Sequence, residues 1–395
     1  MTFQNSNGES AAALRATLDH LPPGDPRFAT EFVNAVLRAA RDIAASDVHI
    51  DPLADGLEVR WRLDGVLQPL VRIEKNVAPN IIARIKVMAG LLTYEMALPQ
   101  EGRIWDEERR VEVRVSTFPT LYGERAVLRL LGASNQSFTA LSKLGLPETV
   151  LGELSRQLAA TSGAILIVGP AGSGKTTTGY ACLRHIVAQT QGGRSIASLE
   201  DPIEVAVEGV AQTQVDTAAG FDMARGLRNL LRLDPEVILI GEIRDHATAD
   251  VALQAALTGQ LVVTTFHASN CDDAVNRLVE IGIPNYALRN AIRLVVAQRL
   301  VRRLCHCSQP GDVQQHAHSF GLNVEKCRIP GACDDCHQTG YAGRCLIADY
   351  RTMNELQGDA TKKGDEPLWA SATRLVEADT TSPAEVVRVL GLRRD

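Results

Sequence analysis

The stretch Gly169-Pro170-Ala171-Gly172-Ser173-Gly174-Lys175-Thr176 limits what this chain can fold into more than any other. It matches G-x-x-x-x-G-K-[ST] at every fixed position. Ahead of it, Ala164-Ile165-Leu166-Ile167-Val168 is a short apolar run suited to a buried strand, and residues 177–187 behind it have the spacing of a helix. A glycine-rich turn between such a strand and helix lets backbone N–H groups approach a phosphate, and the helix N-terminus favours negative charge there. The expected phosphate cradle is therefore Gly169, Pro170, Ala171, Gly172, Ser173, Gly174, Lys175, Thr176 and Thr177. In this kind of turn the lysine reaches the β- and γ-phosphates, and the Thr176 hydroxyl holds Mg²⁺.

A strand–turn–helix of this kind needs neighbours, and residues 147–395 supply them. Strands are expected at 164–168, 195–199, 211–215, 236–240 and 261–265, with helices at 147–158, 175–188, 221–232, 247–257 and 272–281. That alternation predicts an α/β domain with a mostly parallel sheet covered by helices. A long helix is expected over 286–304, because its basic end, Arg299, Arg302 and Arg303, suits a helix C-terminus. Ser382-Pro383-Ala384-Glu385 has the form of a capping box with proline at the first helical position.

The N-terminal third has a different rhythm. Residues 1–27 are polar, run into Leu21-Pro22-Pro23-Gly24-Asp25-Pro26, and are expected to be a tail. Residues 28–45 place Phe32, Val36, Leu37, Ala40 and Ile43 on one helical face. Leu57-Glu58-Val59-Arg60-Trp61-Arg62-Leu63 alternates with period two, Asp64-Gly65 signals a hairpin turn, and residues 66–71 return. Another helix is expected over 81–92, and strands at 111–115 and 126–131. Residues 28–132 thus form a small α+β domain with arginines on its outer strand faces, and 133–146 a linker.

Three carboxylate- or histidine-bearing segments follow strands of the nucleotide domain. Glu242 ends the apolar run Val237-Ile238-Leu239-Ile240-Gly241 and precedes Ile243-Arg244-Asp245. Glu200 opens Glu200-Asp201-Pro202-Ile203-Glu204. In an open α/β sheet ligands sit at the carboxyl ends of the strands, so both acids can converge on one Mg²⁺ and one water. One would hold the hydrated metal and the other align or deprotonate the water, in an order the sequence leaves open. His267 ends a further strand at that edge, where it can sense the γ-phosphate or serve as a structural residue.

Bulk properties exclude some classes. A net charge of −6 and an aromatic content of 4% argue against nucleic acid as a partner, which needs basic surface and stacking platforms. No apolar run reaches the roughly 18 residues of a membrane span, and the N-terminus lacks a signal-peptide layout, so the cytoplasm is expected. Six of the eight cysteines fall between Cys305 and Cys345, and such clustering favours a metal.

Four motifs now stand in order: the phosphate loop, the Glu-Asp-Pro-Ile-Glu box, Asp234-Pro235 leading to Gly241-Glu242-Ile243-Arg244-Asp245, and Thr258-Gly259-Gln260-Leu261 leading to Thr265-Phe266-His267. Together they resemble the secretion ATPase superfamily, and within it the type II secretion and type IV pilus assembly ATPases of the general secretory pathway protein E type. Ala45-Ser46-Asp47-Val48-His49-Ile50, Leu98-Pro99-Gln100-Glu101-Gly102-Arg103, Gln298-Arg299-Leu300-Val301-Arg302 and Gly340-Tyr341-Ala342-Gly343-Arg344 resemble further signatures of that family. The resemblance implies a RecA-like ATPase domain with a PAS-like N-terminal domain. It also implies an ATP-hydrolysing hexameric ring, cytoplasmic but peripheral at the inner membrane through platform and cytoplasmic-domain subunits, that drives a pseudopilus or pilus. The alternatives are a poorly hydrolysing structural subunit, or a motor for pilus retraction or DNA transfer. Arg60, Arg62, Arg103, Arg114 and Arg125 match motifs whose arginines reach nucleotide phosphates in the family.

The chain departs from the family in three places. Gln260 stands where a histidine is usual, which puts that histidine's role in doubt. The family's large first N-terminal domain corresponds here to about 25 residues, so recruitment is expected to differ. Zinc-bearing members carry two C-x-x-C pairs; here Cys333-Asp334-Asp335-Cys336 is intact, while Cys305-His306-Cys307 is one residue short. Zn²⁺ on Cys305, Cys307, Cys333 and Cys336, in a module at 304–345, is the expectation, and a vestigial loop of reduced thiols the alternative.

Overall fold

A computed structural model describes residues 2–3, 14, 16, 25–106, 111–130, 140–357 and 366–393. Most of the tail expected at 1–27, and residues 133–139 of the linker, lie outside the described residues. The chain divides into two units. The first comprises Met1–Gln136, Leu304–Gln309 and Pro330–Gly343; the second comprises Ser137–Arg303, Pro310–Ile329 and Arg344–Asp395. The cysteine-bearing segments 304–309 and 330–343, which the sequence analysis attaches to the nucleotide domain, thus fall in the first unit.

The first unit is built on a seven-stranded antiparallel sheet. In chain order its strands are β1 (Thr2–Phe3), β2 (Asp47–Leu53), β3 (Gly56–Leu63), β4 (Val66–Glu74), β5 (Gln100–Asp106), β6 (Val111–Thr120) and β7 (Gly123–Leu130). In space they run β1-β4-β3-β2-β7-β6-β5. Helices α1 (Phe28–Asp42) and α2 (Ala78–Met88) cover one face. The stripe expected on α1 is the buried one: Phe32, Val36, Leu37 and Ala40 pack with Val48, Ile50, Val59 and Trp61. Burying a side chain such as Phe32, fully covered here, is worth about 1.5–3 kcal/mol. Strands β2 and β5 are additions to the sequence reading: β5 lacks alternation, whereas Asp47-Val48-His49-Ile50-Asp51 in β2 does alternate, with Val48 and Ile50 buried.

The second unit carries the α/β sheet. Its strands are β8 (Gly163–Val168), β9 (Ile196–Glu200), β10 (Ala211–Gln214), β11 (Val237–Ile240), β12 (Leu261–Phe266), β13 (Ile292–Leu304) and β16 (Tyr341–Thr352), in the order β10-β9-β11-β12-β8-β13-β16. A separate pair, β14 (Gln309–Pro310) with β15 (Arg328–Ile329), follows β13 in the chain. The pairs β10–β9, β9–β11, β11–β12, β12–β8 and β8–β13 are all parallel. Helices α3 (Glu148–Leu158), α4 (Lys175–Thr190), α5 (Met223–Leu230), α6 (His246–Thr258), α7 (Cys271–Glu280) and α8 (Asn285–Ala291) join and flank these strands. Residues β8, β9, β11 and β12 are buried throughout, as strands covered on both faces must be.

One expectation is overturned. Residues 286–304 are not a long helix: α8 stops at Ala291, and Ile292–Leu304 is the strand β13 beside β8. The reason lies in the sequence itself. Ile292-Arg293-Leu294-Val295-Val296-Ala297 is rich in β-branched residues, and from Leu294 to Arg299 every residue is buried, which is the signature of a central strand rather than of a one-sided helix. The arginines that looked like a helix C-terminus are instead strand residues. The capping box at 382–385 is present: the Ser382 side chain accepts the Glu385 N–H and Pro383 opens the helix Pro383–Leu390.

Candidate nucleotide site

Register places the chemical segments at one edge of the second unit's sheet. Val168 aligns with Phe266, Leu166 with Thr264, Ile240 with both Thr264 and Leu199. The residues that follow, Gly169, His267, Gly241-Glu242 and Glu200, therefore all leave the carboxyl edge, where parallel strands present their ligands. Gly241 is needed there: a Cβ on it would stand 3.2 Å from the Glu200 Cα.

The loop from Gly169 wraps a helix N-terminus. Gly174, at φ 86°, is the N-cap residue of α4, so the helix starts at Lys175 with its first-turn N–H groups facing the loop. Gly169 is equally constrained, since a Cβ there would lie 2.5 Å from both the Gln298 carbonyl oxygen and Ser173 Oγ. The Lys175 ammonium donates to the carbonyls of Gly169 and Pro170, both at 2.9 Å. Burial pulls its pKa below the usual lysine range, Arg299 adds to that, and the Glu242 carboxylate opposes it. Lys175 and Glu242 thus act on each other electrostatically. Ser173 Oγ is buried without a hydrogen-bond partner, a hydroxyl that a phosphate oxygen would satisfy. With the glycine turn and the helix N-terminus, it makes the residues present fit a triphosphate with its Mg²⁺.

The two acids occupy different surroundings. Glu242 accepts from Arg244 Nε at 2.6 Å and lies 2.6 Å from His267 Nε2. Arg244 also stands 3.7 Å from Asp201, and its pKa is raised first by the hydrogen bond to Glu242. Glu200 is buried. Ser198 Oγ donates to its Oε1 at 2.5 Å, Gln212 Nε2 to the same atom at 3.0 Å, and the Tyr180 hydroxyl to Oε2. Asp245 caps α6, accepting from the Thr248 N–H at 2.8 Å. Gln260 stands at the other end of β12 from His267, where its Oε1 accepts from Thr258 Oγ1. The position at which the family's histidine is replaced is therefore at the amino edge of the sheet.

Several residues at this site escaped the sequence analysis. Gln298, fully buried on β13, accepts from Thr178 Oγ1 at 3.0 Å and donates to the Ser173 carbonyl at 2.8 Å, tying the phosphate loop to α4. Arg299 donates to the carbonyls of Gln298 and Ser269. Gln298 was visible only as part of a family signature, and Arg299 there and as a basic residue at the expected helix end. Tyr180 and Gln212 belong to no motif.

In the first unit the arginines fall on one face of the sheet. Arg62 is opposite Asp47, Asp47 opposite Arg129, Arg129 opposite Arg114, and Arg114 opposite Arg103, a single row across β3, β2, β7, β6 and β5. Arg103, Arg114 and Arg129 line a cavity of about 530 Å³. Carboxylates hold the row: Asp47 pairs with Arg62 at 3.4 Å and Arg129 at 2.9 Å, and Glu112 lies 3.4 Å from both Arg103 and Arg114. Arg60 and Arg125 share Asp51, at 2.8 and 2.6 Å. Arg129 was not singled out from the sequence.

The four cysteine sulfurs also converge. Those of Cys305, Cys307, Cys333 and Cys336 all lie within 4.8 Å of one another, with 3.7 Å between Cys305 and Cys333, 3.8 Å between Cys307 and Cys336, and 3.6 Å between Cys333 and Cys336. Thiolates about 2.3 Å from a tetrahedral zinc stand about 3.8 Å apart, so the cluster is compatible with zinc despite the shortened pair. The cluster is tied to the sheet of its own unit, where Asp64 accepts the Gly343 N–H at 2.9 Å.

Comparison with known proteins agrees with this geometry. A family model described as Type II/IV secretion system protein matches residues 24–382. The chain is 43% identical over 342 residues to the putative type II secretion system protein E of Escherichia coli (strain K12), covering 85% of this chain and 69% of that protein. It is 40% identical to type II secretion system protein E of Klebsiella pneumoniae (91% and 72% covered) and 34% identical to the type IV pilus assembly ATPase TfpB of Acinetobacter baylyi (99% and 70%). Among solved structures, the Legionella pneumophila ATPase DotB superposes with a TM-score of 0.60 at 21% identity over 93% of each chain. The ADP-bound pilus retraction motor PilT does so with 0.54 at 22% identity over 88% and 89%. These two establish the α/β fold. The chain therefore belongs to the Type II/IV secretion system protein family and is an ATPase of that family.

Proposed function

We propose that this chain hydrolyses ATP at the carboxyl edge of the second unit's sheet and, as a homohexamer, powers type II secretion or type IV pilus assembly. The observation that carries the reading is the convergence of Lys175, Glu242, His267 and Glu200 at that edge, with Lys175 and Glu242 within each other's field. The two relatives named for type II secretion and pilus assembly support the choice of machine.

The roles follow from the contacts. The backbone of residues 172–176 cradles the phosphates. Lys175 exchanges its two loop carbonyls for β- and γ-phosphate oxygens, gaining charge-assisted bonds. The Thr176 hydroxyl holds Mg²⁺, which when bound spreads the charge developing on the phosphate oxygens. Glu242, the more accessible acid, aligns the attacking water and takes up its proton, while His267 and Arg244 fix its two oxygens. Glu200 supports the hydrated metal from its buried position. Arg60, Arg62, Arg103 and Arg114, on a PAS-like first unit, are the candidates for positive charge at the γ-phosphoryl oxygens, and the second unit is RecA-like. Cys305, Cys307, Cys333 and Cys336 hold a structural zinc, since four sulfur ligands leave no open position. Such a motor works in the cytoplasm, peripheral to the inner membrane through platform subunits; among the described residues no helix is long and apolar enough to cross a membrane.

ATP turnover by assembled oligomers tests this reading. Lys175→Ala should lower it by about 10²–10³-fold, and Glu242→Gln should lower it similarly while ATP binding persists. A loss of less than about fivefold in Lys175→Ala would overturn the enzymatic assignment.

A further inference from the structure

The Tyr180 hydroxyl joins three parts of the second unit. It donates to Glu200 Oε2 and accepts the Glu204 N–H at 3.0 Å, and the ring itself is buried. Tyr180 stands on α4, five residues beyond Lys175, so the helix whose first turn faces the phosphate loop also carries the donor to the acid at the end of β9. Burial, and then the hydrogen bond to Glu200, push the phenol's pKa well above its ordinary value, so the group remains a donor throughout the range in which proteins work. A residue that only filled this space could be phenylalanine. The hydroxyl is what reaches Glu200, and it reaches the oxygen that Ser198 and Gln212 leave open.

We propose that Tyr180 is a positioning residue for ATP hydrolysis, its hydroxyl holding the Glu200 carboxylate in one orientation against the helix that grips the phosphates. Gln212 does the same for the other oxygen, and by accepting the Val207 N–H at 2.6 Å and donating to the Val205 carbonyl at 3.1 Å it fixes the loop after β9 as well. Phosphate binding at the start of α4 and the placement of Glu200 are then coupled through one rigid element. The inference rests on the proposed role of Glu200 as an acid of the reaction.

Steady-state ATP hydrolysis by the full chain tests it. Tyr180→Phe should lower kcat by about tenfold with KM for ATP changed less than about twofold, because the hydroxyl orients an acid of the reaction and does not touch the phosphate loop. Glu200→Gln should lower kcat by more than about 100-fold, and adding Tyr180→Phe to it should cost nothing further, because the two act as one unit. Wild-type kcat in Tyr180→Phe, or a loss additive with that of Glu200→Gln, would overturn the inference alone. Full turnover in Glu200→Gln would overturn the role of Glu200 and this inference with it. If Tyr180→Phe does not fold, Gln212→Met carries the test on the other oxygen: a lowered kcat with KM for ATP changed less than about twofold supports the inference, and a wild-type kcat overturns it.

Discussion

At the scale of single residues, the candidate nucleotide site is held together by side chains that bind its own loop and helix. Gln298 spends both ends of its amide on the phosphate loop and α4, and no water is needed to complete the bridge. Replacing it with alanine strands the buried Thr178 hydroxyl and a loop carbonyl, each lost partner worth about 1–3 kcal/mol. We expect Gln298→Ala to raise KM for ATP by at least about tenfold, with a smaller effect on kcat, since the cradle is loosened before the chemistry is. An unchanged KM in a steady-state titration would show that the loop keeps its shape unaided. The residues that bear charge were legible from the sequence because they sit at strand ends behind recognisable motifs. The neutral residues that hold them, Gln298, Tyr180 and Gln212, were not, because a glutamine on a strand or a tyrosine on a helix has no spacing that announces its partner.

At the scale of elements, the helix Pro383–Leu390 is fastened to β13 by one carboxylate. Glu385, with a side chain fully removed from solvent, accepts from the Arg302 backbone N–H at 2.9 Å, from Arg302 Nη2 at 2.8 Å and from Arg388 Nη2 at 2.6 Å. Removing one partner of such a buried pair costs about 3–5 kcal/mol, so Glu385→Ala should lower the urea midpoint of the second unit sharply, whereas Arg388→Ala, at the more exposed end, should cost less. Burial works against the ionised form, yet Arg388 and Arg302 hold the Glu385 carboxyl below its usual range. A depressed folded-state pKa contributes stability that is present above the unfolded value of about 4.3 and lost as pH falls through the lower, folded value. Wild type should therefore lose stability in that acid window and Glu385→Gln should lose less there, which denaturation curves at pH 3 to 6 would read. This element also explains the one misread segment. Apolar spacing alone does not separate a helix from a strand buried on both faces, and the arginines of 299–303 suited a helix end; Glu385, 83 residues away from Arg302, is what accounts for one of them.

At the scale of the molecule, the cysteine cluster draws together two segments of chain more than 20 residues apart. Purified protein should carry about one zinc per chain, and chelation or Cys333→Ser should lower its first thermal transition by at least about 5 °C. Metal analysis finding no zinc would leave four reduced thiols in that geometry and remove the structural ion from the proposed function. The sequence by itself determined the phosphate loop, the strand–helix alternation around it, the acids at the strand ends and the four candidate cysteines, because each depends on neighbours close along the chain or on a fixed spacing. Only the tertiary structure decided that β13 is a strand, that Arg129 extends the row from Arg62 to Arg103, that the sulfurs of a shortened pair stand at ligand distance, and that Glu200 is enclosed while Glu242 stays open. Those facts depend on which strands become neighbours and in what register, and that is settled by the packing of side chains far apart in sequence, which no local pattern records.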